Sequence, residues 1–144
     1  MRTPLCLDET VTSARVAADA IDLGACRVVN VKPGRVGGLA EAVAVHDACR
    51  ARGADALVGG MLETGVGRAV NVALAALAGF TLTGDLSASD RYFATDLTEP
   101  FRLDPDGTIR VPDGPGIGVT PLPEVLAAHT VAREVLRPAA RTTP

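Results

Sequence analysis

The chain has 144 residues, of which 47% are hydrophobic and 22% are charged, with a formal net charge of −3. This composition is typical of one globular domain, and the absence of a lysine or arginine cluster argues against a nucleic-acid or membrane partner. No apolar run is long enough for a membrane span or a leader peptide, so we predict a cytoplasmic protein.

Short β-like runs alternate with alanine-rich helical stretches over the first 85 residues, a pattern typical of parallel strands joined by crossover helices. In chain order we predict a strand at 4–9, a helix at 12–24, a strand at 26–32, a helix at 39–52, a strand at 55–61, a helix at 67–79 and a strand at 80–85. The third helix is apolar almost all round after Arg68, which predicts that protein covers both of its sides.

Beyond residue 86 the regular alternation ends. The remaining pattern predicts a hairpin around Asp104 to Gly107 and a last helix from Pro123 to Leu136 that stops near Pro138. The inward face of that helix should carry Val125, Leu126, His129, Ala132 and Leu136. The three cysteines lie in apolar patterns and are expected to be reduced and buried.

Polar or glycine residues stand at the predicted carboxyl ends of the four strands. They are Asp8, Lys32, Gly60 and Asp85, at spacings of 24, 28 and 25 residues. A repeating βα unit of this length is typical of a (β/α)8 barrel, in which the chemistry lies at the carboxyl ends of the strands. Asp8 and Lys32 should then be neighbours at one mouth. A doubly wound open sheet gives similar spacings, but it ranks second because no GxGxxG follows the first strand.

Lys32 is the only lysine of the chain, whereas arginine is abundant. An arginine keeps its proton at any ordinary pH, while a partly buried lysine can release one and act as a base. Lys32 is therefore our candidate acid or base, with a solvated lysine as the plain alternative. For Asp8 the plain alternative is a cap of the following helix. Arg68 is expected to form a structural ion pair. Glu63 is expected either to support a neighbouring site residue or to form a salt bridge, and not to act directly in the chemistry.

A complete barrel has eight strands in about 250 residues, and four predicted units make only half of one. A half barrel leaves two open strand edges and an uncovered inner face, which invite pairing with other chains. We therefore expect either self-association or a complementary N-terminal half.

Long motifs give a specific resemblance. The segments PLCLDE, NVKPGRVGGLAEA, GGMLETGVGRAVNVALA, GDLSASDRYF, DLTEPF and GPGIGV stand in this order. In this order and spacing they resemble the C-terminal half of the o-succinylbenzoate synthase and N-acylamino acid racemase family of the enolase superfamily. The resemblance implies barrel strands five to eight in residues 1–98, and a hairpin, loop and helix in 99–144. The capping domain and the first half of the barrel would lie outside this chain.

The resemblance also implies a reaction. Family members bind Mg²⁺ or another divalent metal such as Mn²⁺ and abstract the proton next to the carboxylate of a small substrate, which gives an enediolate. Loss of water in menaquinone biosynthesis or racemisation follows. Asp8 matches a metal ligand and Lys32 the acid or base, which is thought to stabilise the enediolate by a cation–π contact in the dehydration. The matched substrate-binding positions are Gly60, Met61, Leu62, Asp85 and Ser87.

One part of the family pattern has no match in the chain. The other metal ligands and the opposing lysine of the family should precede this sequence, and one carboxylate does not hold Mg²⁺ against water at useful affinity. We therefore expect the isolated chain to be inactive. The alternatives are a non-catalytic half-barrel fragment and one chain of a split enzyme.

Overall fold

A computed structural model describes residues 2–136 of the protein. The strands are β1 (Cys6–Leu7), β2 (Val28–Val31) and β3 (Asp55–Val58). The α-helices are α1 (Ala14–Asp22), α2 (Pro33–Val36), α3 (Leu39–Ala51), α4 (Gly65–Ala75) and α5 (Pro123–His129), and a single 3₁₀ turn covers Ser89–Arg91. Strands and helices alternate as far as α4, so the α/β class predicted from the sequence is confirmed.

The three strands form one parallel sheet in the order β1-β2-β3. Cys6 pairs with Val28, and Val31 pairs with Val58. Helix α1 connects β1 to β2, and α2 and α3 connect β2 to β3, because parallel neighbours need a crossover connection. Consecutive strands therefore lie side by side with their carboxyl ends at one edge. This is the arrangement of a partial (β/α)8 barrel.

The fourth predicted strand, 80–85, does not form as a strand. It keeps the expected place beside β3, since the Asp85 amide donates to Val58 at 3.0 Å and an isolated parallel bridge joins Gly59 to Asp85. Among the described residues no strand pairs with its outer edge, and residues 81–83 are exposed. A segment with hydrogen-bond partners on one side only has little to hold it in a regular ladder.

The other elements are shorter than the sequence predicted. Strands expected over 4–9, 26–32 and 55–61 contain only two to four paired residues. The helix α2 was not predicted. Pro33 starts it, because the fixed backbone of proline suits the first helical position, and Gly37 ends it in the left-handed conformation at φ 96°.

A core of small side chains lies between the sheet and helices α1 and α3. Val29 and Val31 of β2 point into it and are fully buried. The other buried members are Val11, Ala17, Cys26, Val36, Ala42, Val45, Cys49, Ala56, Val58 and Leu74. At its edge, α1 is fixed to α3 by the Glu41 carboxylate, which accepts from the Ala14 amide at 2.7 Å. Alanine and valine let the helices approach the strands closely, so the strand ends are rigidly placed.

Helix α4 is covered on both sides, as its apolar sequence predicted. Leu74 belongs to the main core, while Ala69 and Val72 pack with Phe101 of the C-terminal segment. The buried Asp96 carboxylate accepts from the Gly65 amide at 2.9 Å. A carboxylate suits the positive end of a helix dipole, so Asp96 ties the C-terminal segment to the start of α4.

The C-terminal predictions are only partly right. A tight turn is present at the predicted hairpin, where the Gly107 amide donates to Asp104 at 2.8 Å, but no strands flank it among the described residues. The last helix ends at His129 instead of Leu136, and none of its residues is buried. The predicted inward residues of this helix contribute no buried side chain, and without packing a short helix does not extend. The predicted stop near Pro138 lies outside the described residues.

Two of the three cysteines are buried as expected, and Cys6 is exposed, contrary to the prediction. Burial raises the pKa of the Cys49 thiol to about 11, which keeps it protonated and unreactive. His46 packs against Phe80 with ring centroids 4.9 Å apart. Between residues 2 and 136 no helix has the length and apolar character needed to cross a membrane.

We predict that Gly65→Ala weakens the attachment of the C-terminal segment to α4. A Cβ at this position would collide with Thr98 Oγ1 and come within 3.2 Å of an Asp96 oxygen. Thermal or urea unfolding should show a loss of about 1–3 kcal/mol, the usual range for overpacking. Gly34→Ala is the matched control, since a Cβ there meets nothing within 4 Å. An equal loss in both variants would contradict the role of the Gly65 contact.

Candidate active site

The Asp8 carboxylate lies one residue beyond β1, where three side chains donate to it. Lys32 Nζ is 3.0 Å and Asn30 Nδ2 is 2.9 Å from Asp8 Oδ2, and Arg35 donates to Oδ1. The side chains of Lys32 and Arg35 are each 15% exposed, and that of Asp8 is 28% exposed. The predicted proximity of Asp8 and Lys32 at the carboxyl ends of the strands is therefore present as an ion pair.

The register of the sheet explains why these groups meet. Asn30 and Lys32 are two residues apart, and side chains two apart along a strand lie on the same side of the sheet. Extension of the β1–β2 pairing by one residue places Asp8 beside Asn30, and extension of the β2–β3 pairing places Gly59 beside Lys32. A Cβ on Gly59 would lie 2.7 Å from Lys32 Cε and would also collide with Asn30. Gly59 therefore leaves the space that the Lys32 side chain occupies.

Arg35 and Asn30 are site residues that the sequence analysis missed. Arg35 lies on α2, and its Nε donates to the Val11 carbonyl at 2.9 Å while its other nitrogens reach Asp8 and the Asn30 carbonyl. One guanidinium thus connects the ends of β1 and β2. The Asn-x-Lys alternation in VVNVK was a signal for Asn30. Arg35 had no comparable signal, because its direction depends on the unpredicted helix α2.

The surroundings of Asp8 favour its charged form. Burial alone would raise the pKa of the Asp8 carboxyl, but the hydrogen bonds and positive charges of Lys32 and Arg35 outweigh this effect. Its pKa therefore lies below the ordinary value of 3.8. Lys32 and Arg35 against one carboxylate leave a formal charge of +1 in this cluster, which suits an anionic ligand.

A cleft of about 500 Å³ opens beside Lys32, with mostly apolar walls. It runs between the segment that follows β2 and the first half of α4. Its lining includes Lys32, Gly34, Gly59, Met61, Glu63 and Asn71. A ligand in this cleft would contact the amine of Lys32 and an apolar surface together.

The predicted substrate-binding residues do not all meet in this cleft. Met61 lines it together with Lys32. Gly60 is held through its backbone, since its amide donates to the Asp85 carbonyl at 2.6 Å. Leu62 and the Asp85 side chain are exposed, and the Ser87 hydroxyl is hydrogen-bonded to the Tyr92 hydroxyl. In the described part of the chain, the cleft thus brings together two of the predicted site residues, Lys32 and Met61.

The donor set does not by itself fit a divalent metal. Within residues 2–136 no group of three or more histidine, cysteine, aspartate or glutamate side chains lies close enough to hold an ion. Asp8 supplies a hard carboxylate of the kind that Mg²⁺ prefers, but Lys32, Asn30 and Arg35 already occupy its oxygens. The described residues offer one ligand at most, and its release requires these donors to move.

The sequence model described as enolase C-terminal domain-like matches residues 1–125. The chain belongs to this family. The parallel sheet of β1 to β3 forms a partial barrel, which agrees with this family.

Similar proteins of the family carry two kinds of name. The chain is 60% identical to an N-succinylamino acid racemase from Amycolatopsis over 133 residues, which are 92% of this chain and 36% of the relative. It is 53% identical to an o-succinylbenzoate synthase from Geobacillus stearothermophilus over 118 residues, which are 82% of this chain and 32% of the relative.

The solved structure of a probable mandelate racemase from Alicyclobacillus acidocaldarius has the same fold over this region. It superposes with a TM-score of 0.85 at 41% identity and covers 92% of this enolase-type chain and 35% of its own. The chain thus spans about a third of the length of the proteins it resembles.

We predict that the Asp8 cluster makes the stability of the protein depend on pH on the acid side. A carboxyl whose pKa is lower in the folded state stabilises the fold above its unfolded value, near 3.8, and this contribution is lost as the pH falls through the folded pKa. Asp8→Asn should therefore be less stable than the unsubstituted chain at pH 6, and the difference should shrink below pH 3.8 and vanish once the pH has fallen through the lower pKa of the folded state.

Urea unfolding across this pH range measures the difference. Asp106→Asn is a useful control, because the Asp106 pKa is also lowered, by the Thr108 hydroxyl and amide, but this residue is exposed at a turn. A difference between Asp8→Asn and the unsubstituted chain that stays constant with pH would contradict the proposed ion pairs.

Proposed function

We propose that this chain supplies one acid or base, Lys32, of an enzyme that removes the proton next to the carboxylate of a small substrate. The observation that supports this most is the contact between Lys32 and Asp8, 3.0 Å apart at the carboxyl ends of adjacent strands. The intact reaction is then the dehydration that gives o-succinylbenzoate or the racemisation of an N-acylamino acid. The names of the similar proteins favour both outcomes.

In this proposal Lys32 moves the proton. Its side chain is held beside the cleft by Gly59 on one side and by Asp8 on the other. A lysine that is 15% exposed can exchange a proton with a bound substrate, whereas an arginine in its place could not. Racemisation needs such an exchange, while in the dehydration the positive charge of Lys32 could act without it.

Asn30 and Arg35 keep the Asp8 carboxylate in place. Each donates to it from β2 or α2, and Arg35 also donates to two backbone carbonyls. The formal charge of +1 in this cluster would attract a substrate carboxylate.

Asp8 would serve as one ligand of a divalent cation once Asn30, Lys32 and Arg35 release its oxygens, and a complementary half would supply the other ligands. Such a cation would stabilise negative charge on the substrate carboxylate. Mg²⁺ or Mn²⁺ suits such oxygen ligands. Complementary strands would also cover the open edge of β1, where Leu5 and Cys6 are exposed. Self-association of this chain is the alternative way to cover the same edge.

A chimera tests the function without assumptions about the rest of this protein. The matching third of the Amycolatopsis racemase is replaced by this chain, and turnover is measured with N-succinyl amino acids and with the synthase substrate. We expect Lys32→Ala to lower kcat by at least about a hundredfold in the racemisation, because the proton transfer is lost. Lys32→Arg should fail equally in the racemisation and retain part of any dehydration, because it keeps the charge.

Arg102→Ala is the control for these variants, since Arg102 is exposed and forms a surface ion pair with Asp90. The unsubstituted Amycolatopsis enzyme is the positive reference. A folded chimera without activity, or full activity in Lys32→Ala, would rule out the proposed role of this chain.

We also predict that metal binding needs both parts of the site. When Mg²⁺ or Mn²⁺ is titrated into the isolated chain and the heat is measured by calorimetry, no saturable binding is expected at micromolar concentrations. One carboxylate supplies too few ligands to hold the ion. The chimera should bind the ion, and Asp8→Asn should weaken that binding by about tenfold or more. Equal binding by the chimera and by its Asp8→Asn variant would exclude Asp8 as a ligand.

A further inference from the structure

A buried arginine lies behind the turn that follows β3. Arg68 of α4 has a side chain with no exposed surface, although guanidinium groups are rarely buried without full hydrogen bonding. Its Nη2 donates to the Met61 carbonyl at 3.3 Å, and its Nη1 lies 3.3 Å from Glu63 Oε1. Within residues 2–136, Nε and Nη1 have no aligned hydrogen-bond acceptor.

Glu63 completes the arrangement. Its Oε1 accepts from Asn71 Nδ2 at 2.5 Å, and its Oε2 accepts from the Met61 amide at 2.6 Å. Both polar groups of the Met61 backbone are therefore held by charged side chains, the carbonyl by Arg68 and the amide by Glu63. We refer to Arg68, Glu63, Asn71 and the Met61 backbone as the Arg68 network.

The Arg68 network is a poor device for stability alone. A buried ion pair loses much of its Coulomb energy to desolvation, and an incompletely paired guanidinium loses more. What the network does achieve is a fixed turn with its apolar side chains outside. Met61 is 61% exposed and Leu62 is 72% exposed, although both are large apolar residues. The buried charges of Arg68 and Glu63 thus fix the backbone of a turn whose apolar side chains, Met61 and Leu62, are exposed.

The position of this turn connects it to Lys32. Met61, Glu63 and Asn71 line the same cleft as Lys32, so three members of the network form part of its wall. Gly60 permits the close approach, because a Cβ there would lie 2.9 Å from Arg68 Nη1 and 2.5 Å from the Asp85 carbonyl. Movement of the network would therefore change the shape of the cleft, while none of its hydrogen bonds and ion pairs involves Asp8 or Lys32.

We infer that Arg68 is a positioning residue for substrate specificity: through Glu63 and the Met61 backbone it fixes the apolar wall that selects the side chain of the substrate. This inference rests on the proposed function. Arg68 touches neither Lys32 nor Asp8 in any hydrogen bond or ion pair of the described residues. Its effect should therefore fall on discrimination between substrates and leave the proton transfer intact.

The first test uses the full chain and nuclear magnetic resonance. Arg68→Met keeps the length of the side chain and removes its charge and donors. We expect the Met61 amide to exchange with solvent at least about tenfold faster, because the turn opens locally, while amides of β2 keep their protection. Arg102→Met is the matched control, since the same substitution is made at a surface ion pair.

The second test uses the chimera described above. The ratio of kcat/KM for an N-succinyl amino acid with a large apolar side chain to that for N-succinylalanine should fall about tenfold in Arg68→Met. The kcat for N-succinylalanine should change less than about twofold, since the transferred proton is not affected. Arg68→Lys should restore part of the ratio, because it keeps a donor and the charge.

The outcomes separate the alternatives. Unchanged exchange at Met61, or an equal fall of kcat/KM for both substrates, would overturn the inference. If Arg68→Met does not fold, Glu63→Gln is measured by the same two criteria, because it removes the charge that holds the Met61 amide. A chimera that shows no turnover with the unsubstituted chain would contradict the proposed function, and the Met61 exchange rates would then decide whether Arg68 holds the turn.

Discussion

The Asp8 carboxylate is the group on which the arrangement of this half barrel depends. Asn30 of β2 and Arg35 of α2 donate hydrogen bonds to it at the end of β1. It also forms an ion pair with Lys32, the single lysine of the chain. Because two cations surround one anion, the strand ends carry a positive charge beside a largely apolar cleft. The same combination is the physical basis for the proposed binding of a small carboxylate. It also explains why Asp8, although partly exposed, remains ionised in mild acid.

Space matters as much as charge at this site. Gly59 leaves room for Lys32 and Asn30, and Gly65 lets Asp96 and Thr98 reach the start of α4. The core between the sheet and the helices consists mainly of valine and alanine, which bring the elements close together. Close packing of small side chains leaves few alternative positions for the strand ends. The fixed position of the strand ends thus comes from residues that lie outside the Asp8 cluster.

The segment after α4 is held to the rest of the protein in a different way. Phe101 covers the outer side of α4, and Asp96 binds its first turn, so this segment is attached by a few specific contacts instead of by a sheet. The helical pattern of 123–136 predicted a longer helix than α5. None of the residues of α5 is buried, and helical propensity without a packing partner does not maintain a helix of this length. The helical pattern of 123–136 was therefore not sufficient to predict where the helix ends.

The sequence by itself determined the alternation of the first three strands with their helices and the proximity of Asp8 and Lys32. These follow from hydrophobic periodicity and from the regular spacing of parallel units, which are local properties. Tertiary structure alone decided that Arg35 joins the Asp8 cluster and that the fourth strand remains a single bridge. It also decided that Arg68 and Glu63 hold the Met61 backbone. These features depend on which residues far apart in the sequence come within hydrogen-bond distance. A local sequence pattern does not contain that information.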